Sequence, residues 1–434
     1  MPAVSKKNYL RQYDLADLAW GGTLKKNLVF TATSGSTGEP FYFPRSSKLD
    51  WQGSFVHEMF FNNGSRADKG PVLVLVCFGM GVWIGGLITY KGYEMAAARG
   101  GYPISILTPG INKKEIYNAL KKLAPHFSQT ILVGYPPFIK DIIDGAKNEG
   151  IDLHKLHIRL SFAAEAFTEQ FRDYLVKVGK LKDPHLDTLN VYGSADIGAM
   201  GFETPISIFA RRMALERKEL FADVFGSIVK TPTLAQYIPG FITFEAPKGE
   251  VLLTGDNTIP LVRYAIGDNG GVLSFGEMEE KFKKHGVSLR KEASRRGNAY
   301  RTELPFVYVY ERNDLSTTLY GLQIYPEHVR EALIHPSVQR VLTGKFSMAT
   351  KYDAKHDQYL EVHLEQSRSE KVEKEFRDRI LKMVVLNLER RNSEFKELHR
   401  FLGKRAWPRL VFWPPEDTKY FRVGIKQQWV IKNQ

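Results

Sequence analysis

One loop-like segment constrains this chain more than any other stretch of its sequence. Residues 33–40 read TSGSTGEP and follow an apolar run at 28–30. The two glycines permit backbone conformations that other residues rarely adopt, so successive N–H groups can point into one concavity, and the hydroxyl side chains add donors with little bulk. The segment therefore suits a polyphosphate, and a serine- and glycine-rich hairpin or linker is the alternative. The candidate phosphate-binding residues are Ser34, Gly35, Ser36, Thr37 and Gly38.

Length and charge limit the classes of function. The chain has 434 residues, of which 43% are hydrophobic and 25% charged, which is enough for a large core and two or three domains. The formal net charge of +13 favours anionic partners such as nucleotides, coenzyme A or an acidic carrier protein. Basic residues are dense at 281–301, which we interpret as a solvated surface. No nucleic-acid-binding module accompanies the charge, so we expect no nucleic-acid partner.

The single cysteine and the longest uncharged stretch bear on location. Cys77 alone excludes an intramolecular disulfide and a thiolate metal cluster, so we expect a cytoplasmic protein with a buried, inert thiol. Residues 1–7 lack the apolar core of a signal peptide. Residues 72–90 carry no charge, but they divide into a strand-like half and a half interrupted by glycines. This division favours a buried parallel strand followed by a helix over a membrane span.

Strand and helix patterns alternate between residues 72 and 179. Such repeated units form a parallel sheet covered by helices, in which ligands collect at the carboxyl ends of the strands. We therefore expect an α/β fold whose large N-terminal domain has mostly parallel sheets covered by helices. The predicted strands of this region are 72–76, 104–107, 130–133 and 158–162.

Two carboxylates follow later predicted strands. Asp196 comes after the strand pattern at 189–193 and is suited to Mg²⁺, and its alternative role is to cap a following helix. Asp268 is expected to close the strand pattern at 260–267, where it could accept hydrogen bonds from both hydroxyls of a ribose. The alternative for Asp268 is a residue that forms a turn.

A smaller pattern of strands and helices begins close to residue 314. It contains strand patterns at 320–326, 339–345, 359–364 and 409–412, with a helical pattern from Glu327 and a long one at 370–388. We therefore predict an N-terminal domain at 1–313 and a smaller α+β C-terminal domain at 314–434.

Six short motifs follow one another along the chain. They are SGSTGEP at 34–40, AEA at 164–166, YGSAD at 192–196, RYAIGD at 263–268, RND with GLQIYP at 312–326, and KYFR at 419–422. In this order they resemble the signatures of the adenylate-forming enzymes, specifically the phenylacetate-coenzyme A ligase branch and its relatives in capsule biosynthesis. The resemblance extends over the chain from near Thr31 onward.

This resemblance implies a role for each motif. It implies that ATP lies on the large domain and that the C-terminal domain is mobile. It assigns the phosphates to the loop at 34–38, the adenine and adjoining contacts to Ala164, Glu165, Ala166, Tyr192, Gly193 and Ser194, the ribose to Asp268 and Arg312, Mg²⁺ to Asp196, and the contact with the substrate carboxylate and the α-phosphate to Lys419.

The reaction implied by the resemblance has two halves. A small carboxylic acid attacks the α-phosphate of ATP to give acyl-AMP and pyrophosphate. The C-terminal domain then rotates about Asp314, withdraws Lys419 and admits coenzyme A, which takes the acyl group as a thioester. The open alternatives are transfer to an amine or to a carrier-protein thiol, and a catalytically idle scaffold that binds nucleotide. Assembly as a homodimer is also left open.

Three positions depart from the pattern of the family. Glu39 stands where a lysine is usual, so one cation that faces the phosphates is missing from the loop. Asp196 replaces the usual glutamate and is shorter by one methylene. Thr418 replaces the glycine before the catalytic lysine, which leaves Lys426 as a second candidate for that role. The joint presence of Asp268, Arg312 and Lys419 argues against the idle scaffold.

We predict that Lys419→Ala slows formation of acyl-adenylate by at least about 100-fold, because the approach of two anions then loses its bridging cation. ATP binding should persist. Pyrophosphate exchange that depends on the carboxylic acid measures the first half-reaction, and the same assay on Lys426→Ala tests the second candidate. An undiminished exchange rate in Lys419→Ala would remove this lysine from the mechanism.

Overall fold

The computed structural model describes most of the chain and divides it into two compact units. The first unit comprises Met1–Ala32 and Tyr42–Asn313, and the second comprises Thr33–Phe41 and Asp314–Gln434. The described residues are 1–33, 41–66, 70–82, 84–101, 103–226, 228, 231–312, 316–333, 335–368, 372–417, 419–421 and 430–431.

The first unit contains thirteen strands and ten α-helices among its described residues. The strands are β1 (Val29–Ala32), β2 (Tyr42–Arg45), β3 (Val72–Cys77), β4 (Ile104–Leu107), β5 (Gln129–Gly134), β6 (Ile158–Ala163), β7 (Thr188–Ser194), β8 (Gly198–Phe202), β9 (Thr233–Gln236), β10 (Ile242–Glu245), β11 (Glu250–Gly255), β12 (Leu261–Leu273) and β13 (Phe306–Arg312). The helices are α1 (Leu15–Leu18), α2 (Ser47–Asn63), α3 (Ile84–Gly100), α4 (Lys113–Lys122), α5 (Pro136–Ala146), α6 (Glu169–Gly179), α7 (Pro205–Glu216), α8 (Lys218–Phe225), α9 (Phe275–Lys284) and α10 (Leu289–Arg296).

Eleven of the described strands form one sheet, in the order β10-β11-β12-β13-β9-β8-β7-β6-β5-β3-β4. The strands β4, β3, β5, β6 and β7 pair in parallel. Every residue of β3 is buried, which is typical of a parallel strand covered by helices on both faces. The other neighbours in this sheet are antiparallel. They are the pairs β7–β8, β8–β9, β9–β13, β13–β12, β12–β11 and β11–β10. The predicted α/β class is confirmed, and the four predicted strands of the alternating region are β3 to β6.

The structure corrects two predictions, one about the surroundings of Asp196 and one about those of Asp268. No helix follows Asp196, because residues 195–197 form the turn between β7 and β8, so its alternative role as a helix cap was wrong. Asp268 does not close a strand, because β12 continues to Leu273. Positive φ angles of 51° at Arg263 and 88° at Gly267, together with irregular pairing to β11, bend this long strand before Asp268.

A buried group of charged side chains holds β7 against its neighbours. The guanidinium of Arg172 lies 2.9 Å from Glu169 and 2.7 Å from Glu203, and it donates to the hydroxyl of Thr188 at the start of β7. Glu203 also accepts from the N–H of Asn190 at 2.9 Å. Because each buried charge has an opposite partner, the cost of removing these groups from water is offset. These contacts therefore hold β7 to α6 and to the residue that follows β8.

The second unit is a smaller α+β unit. Its described strands are β14 (Thr317–Leu319), β15 (Leu322–Ile324), β16 (Leu342–Tyr352), β17 (Gln358–Gln366) and β18 (Arg409–Trp413). Its described helices are α11 (Pro326–Leu333), α12 (Pro336–Gln339), α13 (Lys374–Arg391) and α14 (Ser393–Leu402). β17 pairs antiparallel with β16 and parallel with β18, while β14 and β15 form a hairpin.

No helix among the described residues is both long enough and apolar enough to span a bilayer. The uncharged stretch at 72–90 contains β3 and the start of α3 instead. The predicted strand followed by a helix is confirmed there.

Gly270→Ala is expected to lower the free energy of unfolding by about 2 kcal/mol or more, because an added Cβ would overlap the backbone carbonyl of Tyr308 on β13. Gly276→Ala is the matched control, since its Cβ would meet little in α9 and alanine favours a helix by about 0.5–1 kcal/mol. Urea unfolding followed by circular dichroism measures both changes. Equal midpoints for the two variants would contradict this account of the β12–β13 contact.

Candidate active site

The candidate site is built on the hairpin of β7 and β8. Tyr192 pairs with Gly201, and after a register shift Ser194 pairs with Gly198. A Cβ on Gly193 would lie 2.6 Å from the carbonyl oxygen of Gly198, so the two strands approach closely only because this position has no side chain. The tight hairpin places its turn at the carboxyl end of the parallel strands, where ligands of such sheets bind.

Three residues predicted to contact the nucleotide come together from three strands. The hydroxyl of Tyr192 donates to Oδ2 of Asp268 at 2.6 Å. Asp268 is 6% exposed and is the register partner of Arg312, which joins β12 to β13. The structure describes the backbone of Arg312 and not its side chain. Nothing in the sequence indicated that Tyr192 contacts Asp268, and the nucleotide contacts of these residues stay a prediction.

The segment expected along adenine directly follows β6. Ala164 has a positive φ of 71°, which is uncommon for alanine and marks local strain. The carbonyl of Glu165 accepts from the side-chain amide of Asn190 on β7 at 3.3 Å, while Ala164 and Ala166 are exposed. The backbone of this segment is therefore held next to the strand that carries Tyr192.

Asp196 lies in a group of charges that the sequence did not reveal. Its Oδ2 accepts from the hydroxyl of Tyr264 at 2.5 Å, and its Oδ1 lies 3.1 Å from the ammonium of Lys6. Nη2 of Arg45 donates to the carbonyl of Ala195 at 2.6 Å. Tyr264 stands in the RYAIGD motif, but neither Lys6 nor Arg45 stands in a motif that could have identified it.

Arg45 is a buried cation beneath the turn. Its Nε donates to the hydroxyl of Thr31 at 2.7 Å, and its buried Nη1 has no hydrogen-bond partner among the described residues. Burial lowers the pKa of Arg45 to about 10, and the charges of Asp50 and Asp196 oppose that shift. The guanidinium therefore remains protonated at neutral pH and contributes positive charge to the site.

The surroundings of Asp196 bear on the magnesium ion that the resemblance implies. The described residues contain no group of three or more His, Cys, Asp or Glu side chains that could hold a metal ion. Mg²⁺ is commonly bound through one or two carboxylates together with substrate phosphates, and a single carboxylate fits that mode. The buried Oγ of Ser194, two residues away, has no hydrogen-bond partner in the described part of the chain and is a further oxygen at this turn.

The predicted phosphate loop stands between β1 and β2 in the sequence. Ser34, Gly35, Ser36, Thr37, Gly38 and Glu39 lie outside the described residues. The strands on either side of them, β1 and β2, pair antiparallel with Ala32 opposite Tyr42. Phosphate binding by these residues stays a prediction.

Lys419 lies in the second unit, on a turn with a fixed backbone. Oδ1 of Asp417 accepts from the N–H groups of Lys419 at 2.9 Å and of Tyr420 at 3.1 Å. The Tyr420 ring stacks on His363 with centroids 4.0 Å apart. Burial lowers the pKa of His363 to about 4, so the ring is neutral and accepts from the indole of Trp413 at 2.9 Å. The side chain of Lys419 is exposed, so its ammonium can move while its backbone is held.

Comparison with solved structures gives the class of fold. Over 100% of its length, the chain matches 80% of a crystal structure of 2-hydroxyisobutyryl-CoA ligase in complex with 2-HIB-AMP and CoA, with a TM-score of 0.62 and 15% identity. The fold predicted from the resemblance to adenylate-forming enzymes is therefore confirmed.

Comparison with curated sequences gives a particular relative. Phenylacetate-coenzyme A ligase from Pseudomonas putida is 24% identical over 246 residues, which are 55% of this chain and 49% of that protein. The chain thus spans about half the length of the curated relative it matches. No protein-family model matches the chain. The predicted resemblance to the acyl-CoA synthetase branch of the adenylate-forming enzymes is confirmed by this similarity and by the fold.

Tyr192→Phe is expected to lower the free energy of unfolding by about 1–2 kcal/mol, because it removes a hydrogen bond to a buried carboxylate. Tyr13→Phe removes a hydroxyl from a side chain that is 60% exposed and serves as control. Urea midpoints measure the difference, and equal midpoints for both variants would show that the Tyr192–Asp268 bond contributes nothing to stability.

Proposed function

We propose that the chain is an ATP-dependent, AMP-forming acid–thiol ligase. It activates a small carboxylic acid as acyl-AMP and transfers the acyl group to coenzyme A. The observation that carries this proposal is the meeting of Tyr192, Asp268 and Arg312 at one place on a fold shared with a CoA ligase. The segment 164–166 and Asp196 lie at neighbouring strand ends, as a nucleotide site requires.

The first half-reaction needs positive charge and alignment. An oxygen of the acid attacks the α-phosphorus of ATP, the bond to the β-phosphate breaks, and pyrophosphate leaves. We assign the ribose to Asp268 and Arg312, and adenine to Tyr192 with the segment 164–166. The loop at 34–38 binds the leaving phosphates. Mg²⁺ held by Asp196 would neutralise phosphate charge, and Lys419 contacts the acid and the α-phosphate.

The second half-reaction needs the C-terminal unit to move. We propose that 1–313 is the adenylation domain and 314–434 the mobile domain, with Asp314 as the hinge. Withdrawal of Lys419 opens a path for the thiol of coenzyme A, whose sulfur attacks the acyl carbon. AMP leaves, and the thiol proton passes to solvent. A cytoplasmic location follows from the proposed use of ATP and coenzyme A, and the buried Cys77 fits it.

Exchange of labelled pyrophosphate into ATP, measured with a panel of aryl, alkyl and hydroxy acids, tests the first step and identifies the acid. Product masses with coenzyme A, a carrier protein or simple amines identify the acceptor. We expect exchange with at least one acid and an acyl-CoA product. A product formed only with an amine or a carrier would replace the acceptor, and ATP binding without any exchange would favour the idle scaffold.

We predict that Asp268→Ala weakens ATP binding about tenfold, because the ribose hydroxyls lose a charged acceptor. The parent should bind 2′,3′-dideoxy-ATP correspondingly less well than ATP, and the variant should bind the two equally. Calorimetry measures all four affinities. Asp256→Ala is the control, since that carboxylate is exposed and pairs with Lys48. A variant that still prefers ATP would contradict the ribose assignment.

A further inference from the structure

The described residues 416–417 and 419–421 form the turn that carries Lys419, here called the lysine turn. At its end, Phe421 is 2% exposed, and its N–H donates to the carbonyl of Asp417 at 2.8 Å. A buried phenylalanine and a backbone hydrogen bond therefore fix this end of the lysine turn.

The start of the lysine turn is attached to β17. The N–H of Glu416 donates to Oε1 of Glu365 at 2.9 Å. The side chain of Glu365 is 1% exposed, and its Oε2 accepts from the hydroxyl of Thr343 at 2.6 Å and lies 3.2 Å from the ammonium of Lys345. Because this buried carboxylate is held by an opposite charge and by a hydroxyl, it is a fixed acceptor for the turn.

Aromatic rings hold the part of the lysine turn next to Lys419. The ring of Tyr420 stacks on His363, and its centre lies 4.7 Å from that of Trp413. The ammonium of Lys419 lies 5.3 Å from the centre of the same tyrosine ring. Among the described residues, no carboxylate pairs with this ammonium. The lysine turn therefore leaves the charge of Lys419 available to a ligand.

The carboxylate of Asp417 holds the backbone at the lysine itself. One oxygen, Oδ1, accepts from the N–H of Lys419 at 2.9 Å and from the N–H of Tyr420 at 3.1 Å. Hydrogen bonds to a charged acceptor are stronger than neutral ones, so these two set the direction in which the lysine side chain leaves the backbone. A lysine side chain has a flexible four-carbon stem, and a backbone that also moved would add to the conformational freedom lost when the ammonium binds.

We propose that Asp417 is a positioning residue for Lys419. By holding two backbone N–H groups, its carboxylate directs the ammonium toward the acid and the α-phosphate during formation of acyl-adenylate. This inference rests on the proposed function, because it takes Lys419 as the catalytic lysine. The alternative is a structural role, in which Asp417 only stabilises the fold of the second unit. The two roles differ by half-reaction, because Lys419 is withdrawn in the second and its positioning then has no effect.

The second unit contains a matched control at Asp353. Its Oδ1 accepts from the N–H groups of Lys355 and Asp357, both at 2.9 Å, in the turn between β16 and β17. Asp353 and Asp417 therefore make the same kind of contact, and both residues are partly exposed. Asp353→Ala and Asp417→Ala should lower stability by similar amounts, but Asp417→Ala alone loosens the lysine turn.

Both half-reactions are measured on the full chain with the acid that gives the parent its fastest pyrophosphate exchange. We expect Asp417→Ala to slow exchange at saturating substrate at least about tenfold and to change ATP affinity less than about twofold, because misplacement of a reacting group lowers the rate of the chemical step. Transfer from the chemically prepared acyl-AMP of that acid to the acceptor identified by product mass should keep the parental rate. Asp417→Asn should restore exchange to within about threefold of the parent, since an amide oxygen can also accept two hydrogen bonds. Asp353→Ala should leave both steps unchanged.

Three results would overturn the inference while leaving the proposed function intact. They are exchange at the parental rate in Asp417→Ala, equal slowing of its two half-reactions, and equal slowing of exchange in Asp417→Ala and Asp353→Ala. A parent chain that shows no exchange with any acid would overturn the proposed function itself and this inference with it. Circular dichroism of each variant verifies that it is folded. If Asp417→Ala is not, Asp417→Gln replaces it, because its amide lies one methylene further from the backbone and does not close the same turn.

Discussion

The change of strand direction at β7 is the constraint on which the candidate site depends. β7 runs parallel to β6 on one side and antiparallel to β8 on the other. The loops that follow the parallel strands and the side chains of the antiparallel strands therefore meet at the carboxyl end of β7. Gly193 permits the hairpin to close tightly, and the buried pairs around Arg172 hold the strand in place. The Tyr192–Asp268 hydrogen bond then links β7 to β12 across this junction.

Charge is the second organising influence on the site. The carboxylate of Asp196 is largely shielded from water, and such a group is stable only beside opposite charge or hydrogen-bond donors. Tyr264 and Lys6 satisfy its two oxygens, and Arg45 binds the turn next to it. Arg45 also faces the carboxylate of Asp50, so two cations of this cluster are balanced by two carboxylates.

Lys419 of the second unit is held in a different way from the cations Lys6 and Arg45 of the first unit. Its backbone is held by Asp417 and by the stack of Tyr420 on the neutral ring of His363, while its ammonium stays exposed. A compact charge on a flexible stem suits a group that must approach and leave a reacting centre. The contrast is physical: Arg45 and Lys6 are fixed by burial or pairing, whereas Lys419 is held at its backbone and its exposed ammonium lies 5.3 Å from the ring centre of Tyr420.

The sequence by itself determined the features that local patterns encode. Apolar runs and their spacing predicted β3 to β6. Six motifs in order predicted the fold and named Tyr192, Asp268 and Arg312 as candidate nucleotide contacts. Tertiary structure alone decided which strands pair, so it corrected the hairpin at Asp196 and the continuation of β12 past Asp268. It also brought Lys6 to Asp196. Such contacts depend on partners far away in the chain, and no local pattern of side chains records which distant strand or charge will complete a pair.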